Sequence, residues 1–326
     1  MTFELTVESA PGYLVRRGLA PLHTEIQAEE LSGGVSASVI AVRIPSTGRA
    51  LVVKQALRQL RVRDEWFAKP ERAETEVEAM RLCRTITPGA VPRVLDSDPA
   101  EHILVIELLP ADVLNWQAEI VEGRVHTDAG RWAGTTLGAW HAATSSREDV
   151  ALAFDDFEAF EQQRLRPFHE TVMERRPELA SAIAPYVHEL RSTRSCLVHG
   201  DYSMKNMLVG PSGRWVVDFE VAHYGNPVFD IGFFLSFVVL SAVRWPALTA
   251  QLRSLGDEFL AGYVAAAGEG RAGDSASGTG HTACLVLART DGKSPAQFID
   301  AGLQERARDV GVSLLRAPAR GLWAWT

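Results

Sequence analysis

Cysteine is scarce in this chain: Cys83, Cys196 and Cys284 stand far apart among 326 residues. An odd, widely spaced set supports neither a disulfide framework nor a zinc site, so buried, reduced thiols are expected. Long apolar runs are missing as well. The longest, Ile231 to Val243, is too short to cross a bilayer and reads as a core helix. No charged-then-apolar leader is read at the start, and the expectation is a soluble, cytoplasmic protein without membrane contact. Basic surplus is also absent. A net charge of −8 with no basic cluster argues against a nucleic-acid surface. The 46% hydrophobic content supports a substantial core, and the length admits one large or two moderate domains.

What the chain does have is a chemical loop, His199-Gly200-Asp201-Tyr202-Ser203-Met204-Lys205-Asn206, followed by Val216-Val217-Asp218-Phe219-Glu220. A hydroxyl attacking a terminal phosphate needs a carboxylate to take its proton, and Asp201 in an exposed turn suits that role. Five residues on, Asn206 offers an amide oxygen to a magnesium ion. Met207-Leu208-Val209, a turn over 210–213 and Trp215-Val216-Val217 predict a hairpin that returns the chain to the same place and delivers Asp218 at its end. Two hard oxygen ligands, with Glu220 as a third, match the way magnesium is held where phosphates are transferred. A lone His-Gly-Asp is often only a turn. The asparagine, the flanking strands and the second acidic strand end together favour the catalytic reading.

The amino-terminal third supplies a candidate phosphate site. Ile26 to Glu30 leads into Leu31-Ser32-Gly33-Gly34-Val35-Ser36, and Val39 to Ile44 follows as a strand. Gly33 and Gly34 let backbone amides approach phosphate oxygens, and Ser36 adds a hydroxyl. The next strand, Ala50 to Val53, ends in Lys54. A helix then spans Pro70 to Arg84, with acids in its first turns.

These blocks resemble the aminoglycoside phosphotransferase and choline kinase superfamily, small-molecule kinases with a protein-kinase-like fold. Leu197 to Val209 is similar to the superfamily's H-G-D-x-S-x-K-N loop, and Asp218 to Gly232 to the D-F-E, Y and F-D-I-G run of choline and ethanolamine kinases. The resemblance implies an α+β bilobal fold: a five-stranded antiparallel sheet with one helix over 1–109, then a mainly helical lobe over 110–326. It implies ATP and magnesium as cofactors, Asp201 as catalytic base, Asn206 and Asp218 as magnesium ligands with Glu220 in support, and Asp230 as a buried brace. Lys54 would pair with a helix carboxylate; spacing from Arg72 favours Glu76, with Glu74 and Glu78 open. The strand His102 to Glu107 would lead to the inter-lobe linker, so Glu107 and Leu109 are candidate nucleotide contacts. Lys205, beside the base, would offset charge on the transferring phosphoryl group.

The partner implied is a small molecule with a free hydroxyl. Lys54-Gln55-Ala56 and the loop to Trp66 look like methylthioribose kinases, but Asn206 departs from that family's catalytic loop. Aminoglycoside kinases usually set acids against their substrates' amines near the carboxy terminus. Here Asp291, Asp300, Glu305 and Asp309 face six cations from Arg289 to Arg320, which favours a neutral or anionic acceptor. The alternative from another class is a non-catalytic nucleotide-binding regulator. A protein kinase is disfavoured because no A-P-E follows Asp218.

The remaining segments read as scaffold. Val113–Glu122, Thr127–Ala143, Phe154–Glu174 and Pro177–Ser192 carry helical apolar spacing, with Trp132, Trp140 and His141 as core residues. A Gly- and Ser-rich stretch, 268–280, predicts a flexible linker. Its Gly273-Asp274-Ser275 lacks the strand-turn-helix setting of a hydrolase nucleophile. Arg289 to Pro295 reads as a turn with mixed charges; its resemblance to an A-R-x-D-G-K-S-P segment of such phosphotransferases implies a place bordering the acceptor pocket, with a simply solvated turn as the alternative.

Overall fold

Alternating apolar residues set the amino-terminal third of the chain. In this computed structural model, which describes residues 3–31, 36–59, 61, 67–268 and 275–326, the chain divides into two units. The first comprises residues 1–113 and 211–220; the second comprises 114–210 and 221–326.

In the first unit a short helix, α1 (Ala10–Arg16), precedes three strands, β1 (Gln27–Glu30), β2 (Ala37–Ile44) and β3 (Arg49–Ala56). Helix α2 (Arg72–Ile86) follows, then β4 (Val94–Asp98) and β5 (Ile103–Glu107). Among the described residues the five strands form one antiparallel sheet in the order β1-β2-β3-β5-β4. The period of two puts Ile40, Val42, Ile44, Leu51, Val53, Ile103 and Val105 in one cluster with Leu5, Tyr13 and Leu14 of the amino-terminal segment. Helix α2 packs against β3, β4 and β5. Among the described residues the sheet therefore carries α1 as well as α2, where the sequence predicts one helix. Helix α1 is only 7 residues long, too short for periodicity to reveal; it is fixed by burial against the sheet rather than by its own propensity.

The second unit opens with β6 (Leu114–Asn115) and α3 (Trp116–Val121). The helix expected from Val113 starts at Trp116, because the Asn115 carboxamide accepts from the amides of Gln117 and Ala118 and caps it there. Helix α4 (Thr127–Thr144) matches expectation and is followed by α5 (Glu148–Ala153). The segment predicted as one helix from Phe154 to Glu174 is instead α6 (Phe157–Phe160), a π-helical stretch (Glu161–Glu170) and α7 (Thr171–Arg175). Pro167, inside it, cannot donate a backbone bond and accompanies the change of pitch. Then come α8 (Pro177–Ser192) and β7 (Cys196–Val198). Strands β8 (Met207–Gly210) and β9 (Gly213–Val216) flank the predicted turn, and β9 falls in the first unit. Strand β10 (His223–Gly225) pairs with β7, and β6 with β8.

Four helices complete the unit: α9 (Val228–Arg244), α10 (Thr249–Ala267), α11 (Ser275–Asp291) and α12 (Ala301–Arg316). Helices α4 and α10 approach closely over Gly130, Gly134, Gly138 and Gly262. A β-carbon at Gly134 would lie 1.9 Å from the Phe259 carbonyl oxygen. The linker expectation fails at 275–280, which form the start of α11; a β-carbon at Gly280 would fall 2.1 Å from the Tyr186 hydroxyl, so that glycine serves packing rather than flexibility. Residues 269–274 lie outside the described ones. All three cysteines are buried, and no described helix is long and apolar enough to cross a membrane.

Candidate active site

The first unit assembles a charge cluster from three places in the sequence. Lys54, near the end of β3, reaches Glu76 of α2 at 2.8 Å and Asp218 at 2.5 Å, with Glu220 at 4.0 Å. Glu76 is thus the helix acid that meets the lysine. Glu74, one of the open alternatives, instead meets His102 at 3.0 Å, and Glu78 pairs with Arg81.

Burial would push the Lys54 ammonium down, but Asp218, Glu76 and Glu220 outweigh it and the net shift is upward. Glu76 is pushed up to about 7, first by burial and then by repulsion from Asp218 and Glu220, with Lys54 opposing. Carboxylates also outnumber cations in this cluster. Three acids face Lys54 and one further cation, Arg72, whose Nε donates to Glu220 at 3.1 Å.

Oxygens of Glu76, Asp218 and Glu220 lie within 4.8 Å of one another. That hard-oxygen set, short of one positive charge, fits a divalent ion such as magnesium. Asp218 adopts φ +69, a left-handed conformation that aspartate tolerates better than most residues and that recurs at functional sites. Arg72 is almost wholly buried; besides Glu220 it donates to the carbonyls of Ser36, Leu57 and Lys69.

Other expected nucleotide contacts are placed unevenly. Gly33 and Gly34 lie outside the described residues. Ser36 sits at the entry to β2, held through its carbonyl by Arg72. Glu107 ends β5, and its side chain accepts from the Arg93 amide at 2.7 Å. Leu108 donates the last sheet bond to Ala50, and Leu109 begins the segment beyond.

The second unit builds the His-Gly-Asp loop on β7. Gly200 has φ +78, and a β-carbon there would sit 2.6 Å from the Val221 carbonyl oxygen, so only glycine fits. Asp230, fully buried at the start of α9, accepts the amides of His199 at 2.7 Å and Gly200 at 2.9 Å and faces His141 Nε2 at 3.3 Å. Burial works against this carboxylate, yet the contacts with His141 and His199 outweigh it and hold its pKa below the usual range. The brace expected at Asp230 is therefore a specific pair of backbone bonds.

Asp201 is 3% exposed, not the exposed turn residue that the sequence suggests, because three side chains enclose it. Its Oδ2 lies 2.7 Å from Lys205 Nζ, 2.8 Å from Asn206 Nδ2 and 3.3 Å from Arg164 Nη2. With the Asn206 nitrogen spent on Asp201, its carbonyl oxygen is the atom left for a cation. Arg164 also donates to the Gly200 carbonyl, fixing the loop from the π-helical stretch. Sequence reasoning missed Arg164: an arginine in Gln-Gln-Arg-Leu-Arg carries no sign of which cation turns inward. It also placed Arg289 in a turn, whereas Arg289 is a buried residue of α11.

A β-sheet unit bearing a lysine–glutamate pair, and a mainly helical unit bearing a braced His-Gly-Asp loop, define the kinase-like fold class. Solved structures agree. An ethanolamine kinase of Plasmodium vivax superposes with TM-score 0.63 at 12% identity, covering 98% of this chain and 92% of that one. An amicoumacin kinase solved with AMP-PNP and calcium gives 0.61 at 14% identity, covering 97% and 95%.

The profile of the phosphotransferase enzyme family matches residues 27–278, and the chain belongs to that family. Among curated proteins it is similar to a methylthioribose kinase of Pectobacterium atrosepticum, 26% identical over 72% of this chain. The match covers 64% of that enzyme, slightly under two thirds of its length.

Proposed function

We propose that the protein transfers the terminal phosphoryl group of ATP, with magnesium, to a hydroxyl of a small molecule. The carrying observation is the enclosure of Asp201 by Lys205, Asn206 and Arg164. A nearly buried carboxylate with three donors on one oxygen is held in a fixed direction, as a general base requires.

In this reading Asp201 takes the proton from the acceptor hydroxyl, and Lys205 offsets charge that develops on the phosphoryl group. Lys54, positioned by Glu76, holds the nucleotide phosphates. Asp218 and the Asn206 oxygen bind magnesium. Glu220 supports them, and its bond to Arg72 makes it a weaker candidate ligand than Asp218. Gly33, Gly34 and Ser36 cover the phosphates, and Glu107 and Leu109 border the base of the nucleotide.

A methylthioribose-like sugar is one acceptor that the Pectobacterium relative supports; amino alcohols and aminoglycosides belong in the same screen. The protein is incubated with ATP, magnesium and a mixed library of these compounds, and products heavier by one phosphoryl group are scored. Asp201→Asn is expected to lower turnover by about 10²–10⁴-fold. Nucleotide binding without any product, or turnover undiminished in Asp201→Asn, would defeat the proposal.

A further inference from the structure

Asp201 is one carboxylate among several cations. Arg164 and Lys205 touch it directly, and a third cation lies close by. The Phe168 ring carries the Arg164 guanidinium 5.5 Å from its centroid and the Arg289 guanidinium at 5.9 Å, so both arginines rest on one aromatic side chain. Arg289 also lies 5.3 Å from the centroid of Phe237.

The two arginines differ in what remains for a ligand. Arg164 is committed: Nε goes to Gly200, Nη1 to the Gln163 carbonyl and Nη2 to Asp201. Arg289, 7% exposed, gives Nη1 to the carbonyl and hydroxyl of Ser294, both neutral, and its Nε makes no hydrogen bond among the described residues. The acid two residues along α11, Asp291, is engaged by Arg308 at 2.7 Å and Arg176 at 3.3 Å. Burial pulls the Arg289 pKa down to about 10; Asp201 acts to raise it and Arg164 to lower it further.

Among the described residues Asp201 touches two cations, Arg164 and Lys205, and a third, Arg289, rests on the same Phe168 ring as Arg164 as a buried guanidinium bonded only to neutral groups. Burying charge without compensation is unfavourable, and guanidinium is the side chain best matched to carboxylate and phosphate. We propose that Arg289 binds an anionic group of the acceptor, so that the substrate is an alcohol bearing a carboxylate or a phosphate, with Arg164 positioning Asp201 beside it. This inference rests on the phosphotransferase reading for the word acceptor, but not for the anion site itself.

The test uses matched probes and the full chain. Binding to protein saturated with ADP and magnesium is measured by calorimetry for glycerol, glycerate and glycerol 3-phosphate, and for ribose, ribonate and ribose 5-phosphate. At least one anionic probe is expected to bind ten-fold or more tighter than its neutral partner, and the carboxylate and phosphate arms show which anion is preferred. Arg289→Gln abolishes that preference, while Arg289→Lys keeps most of it and guards against a folding defect, checked by thermal melting. Where a probe is turned over, the loss in Arg289→Gln falls on KM rather than kcat.

Equal binding of neutral and anionic probes, no binding of any anion, or an unchanged preference in Arg289→Gln each overturns the proposal. Phosphoryl transfer to a neutral alcohol with no anion preference leaves the phosphotransferase reading intact and removes this one. Anion preference lost in Arg289→Gln, with no ATP-dependent product from any compound, does the reverse.

Discussion

Replacing Asp230 should damage stability and catalysis through two backbone bonds. The carboxylate is fully buried and accepts the amides of His199 and Gly200. In Asp230→Ala both donors lose their acceptor where water does not reach. An unsatisfied buried donor costs about 1–3 kcal/mol, so the pair costs about 2–6 kcal/mol. Against a typical total of about 5–15 kcal/mol, that is a large fraction.

Asp230→Asn separates the bonds from the charge. Its single amide oxygen can keep one donor, so the expected loss is about 1–3 kcal/mol. Urea unfolding, read as a midpoint shift at constant slope, measures both variants. Turnover should fall as well, by about 100-fold if the loop moves by about 1 Å, because Asp201 directly follows Gly200. A loss below about 1 kcal/mol in Asp230→Ala, or an Asn variant as damaged as the Ala variant, would refute the assignment of these two bonds as the brace.

Three further outcomes are expected. Arg72→Met leaves the Glu220 carboxylate buried with Lys54 4.0 Å away and takes a donor from the Ser36 and Leu57 carbonyls; it should cost about 3–5 kcal/mol, and a double-mutant cycle with Glu220→Gln showing no coupling would contradict it. Gly134→Ala places a methyl carbon 1.9 Å from the Phe259 carbonyl, forcing α4 and α10 apart at a cost of about 1–3 kcal/mol; an unchanged melting temperature counts against that packing. Burial holds His169 down to about 3 and His223 down to about 4. In the unfolded chain both protonate near about 6.5 while the folded forms stay neutral, so stability is full above that pH and falls by about 1.4 kcal/mol per pH unit per histidine between about 6.5 and 5. Urea midpoints across that window should fall in the parent and much less in a His169→Phe, His223→Phe double variant; equal slopes would exclude these two groups as the cause.

Much of the site was legible because local rules govern it. Glycine and proline at 210–213 predict the turn that brings Asp218 back, and β-branched alternation around Lys54 predicts the strand that carries it. The order of Lys54, Asp201, Asn206 and Asp218 follows from the chain alone. The family resemblance favoured Glu76 as the helix partner of Lys54 and left Glu74 and Glu78 open, and packing of α2 on the sheet brings Glu76 to the lysine. The break of the helix at 161–170 escaped because apolar spacing near Pro167 still reads as helical, and π pitch depends on what the helix packs against. Residues 275–280 look flexible by composition but begin α11, and Gly280 is small because Tyr186 lies against it.

What the sequence determined by itself is the inventory and order of reactive groups, since turns, strand alternation and motif spacing are properties of neighbouring residues. Which arginines join Lys205 near Asp201 was decided only by tertiary structure. Arg164, Asp201 and Arg289 come from a π-helical stretch, a loop and a distant helix, and a side chain's burial and charge environment are sums over segments that linear spacing does not relate.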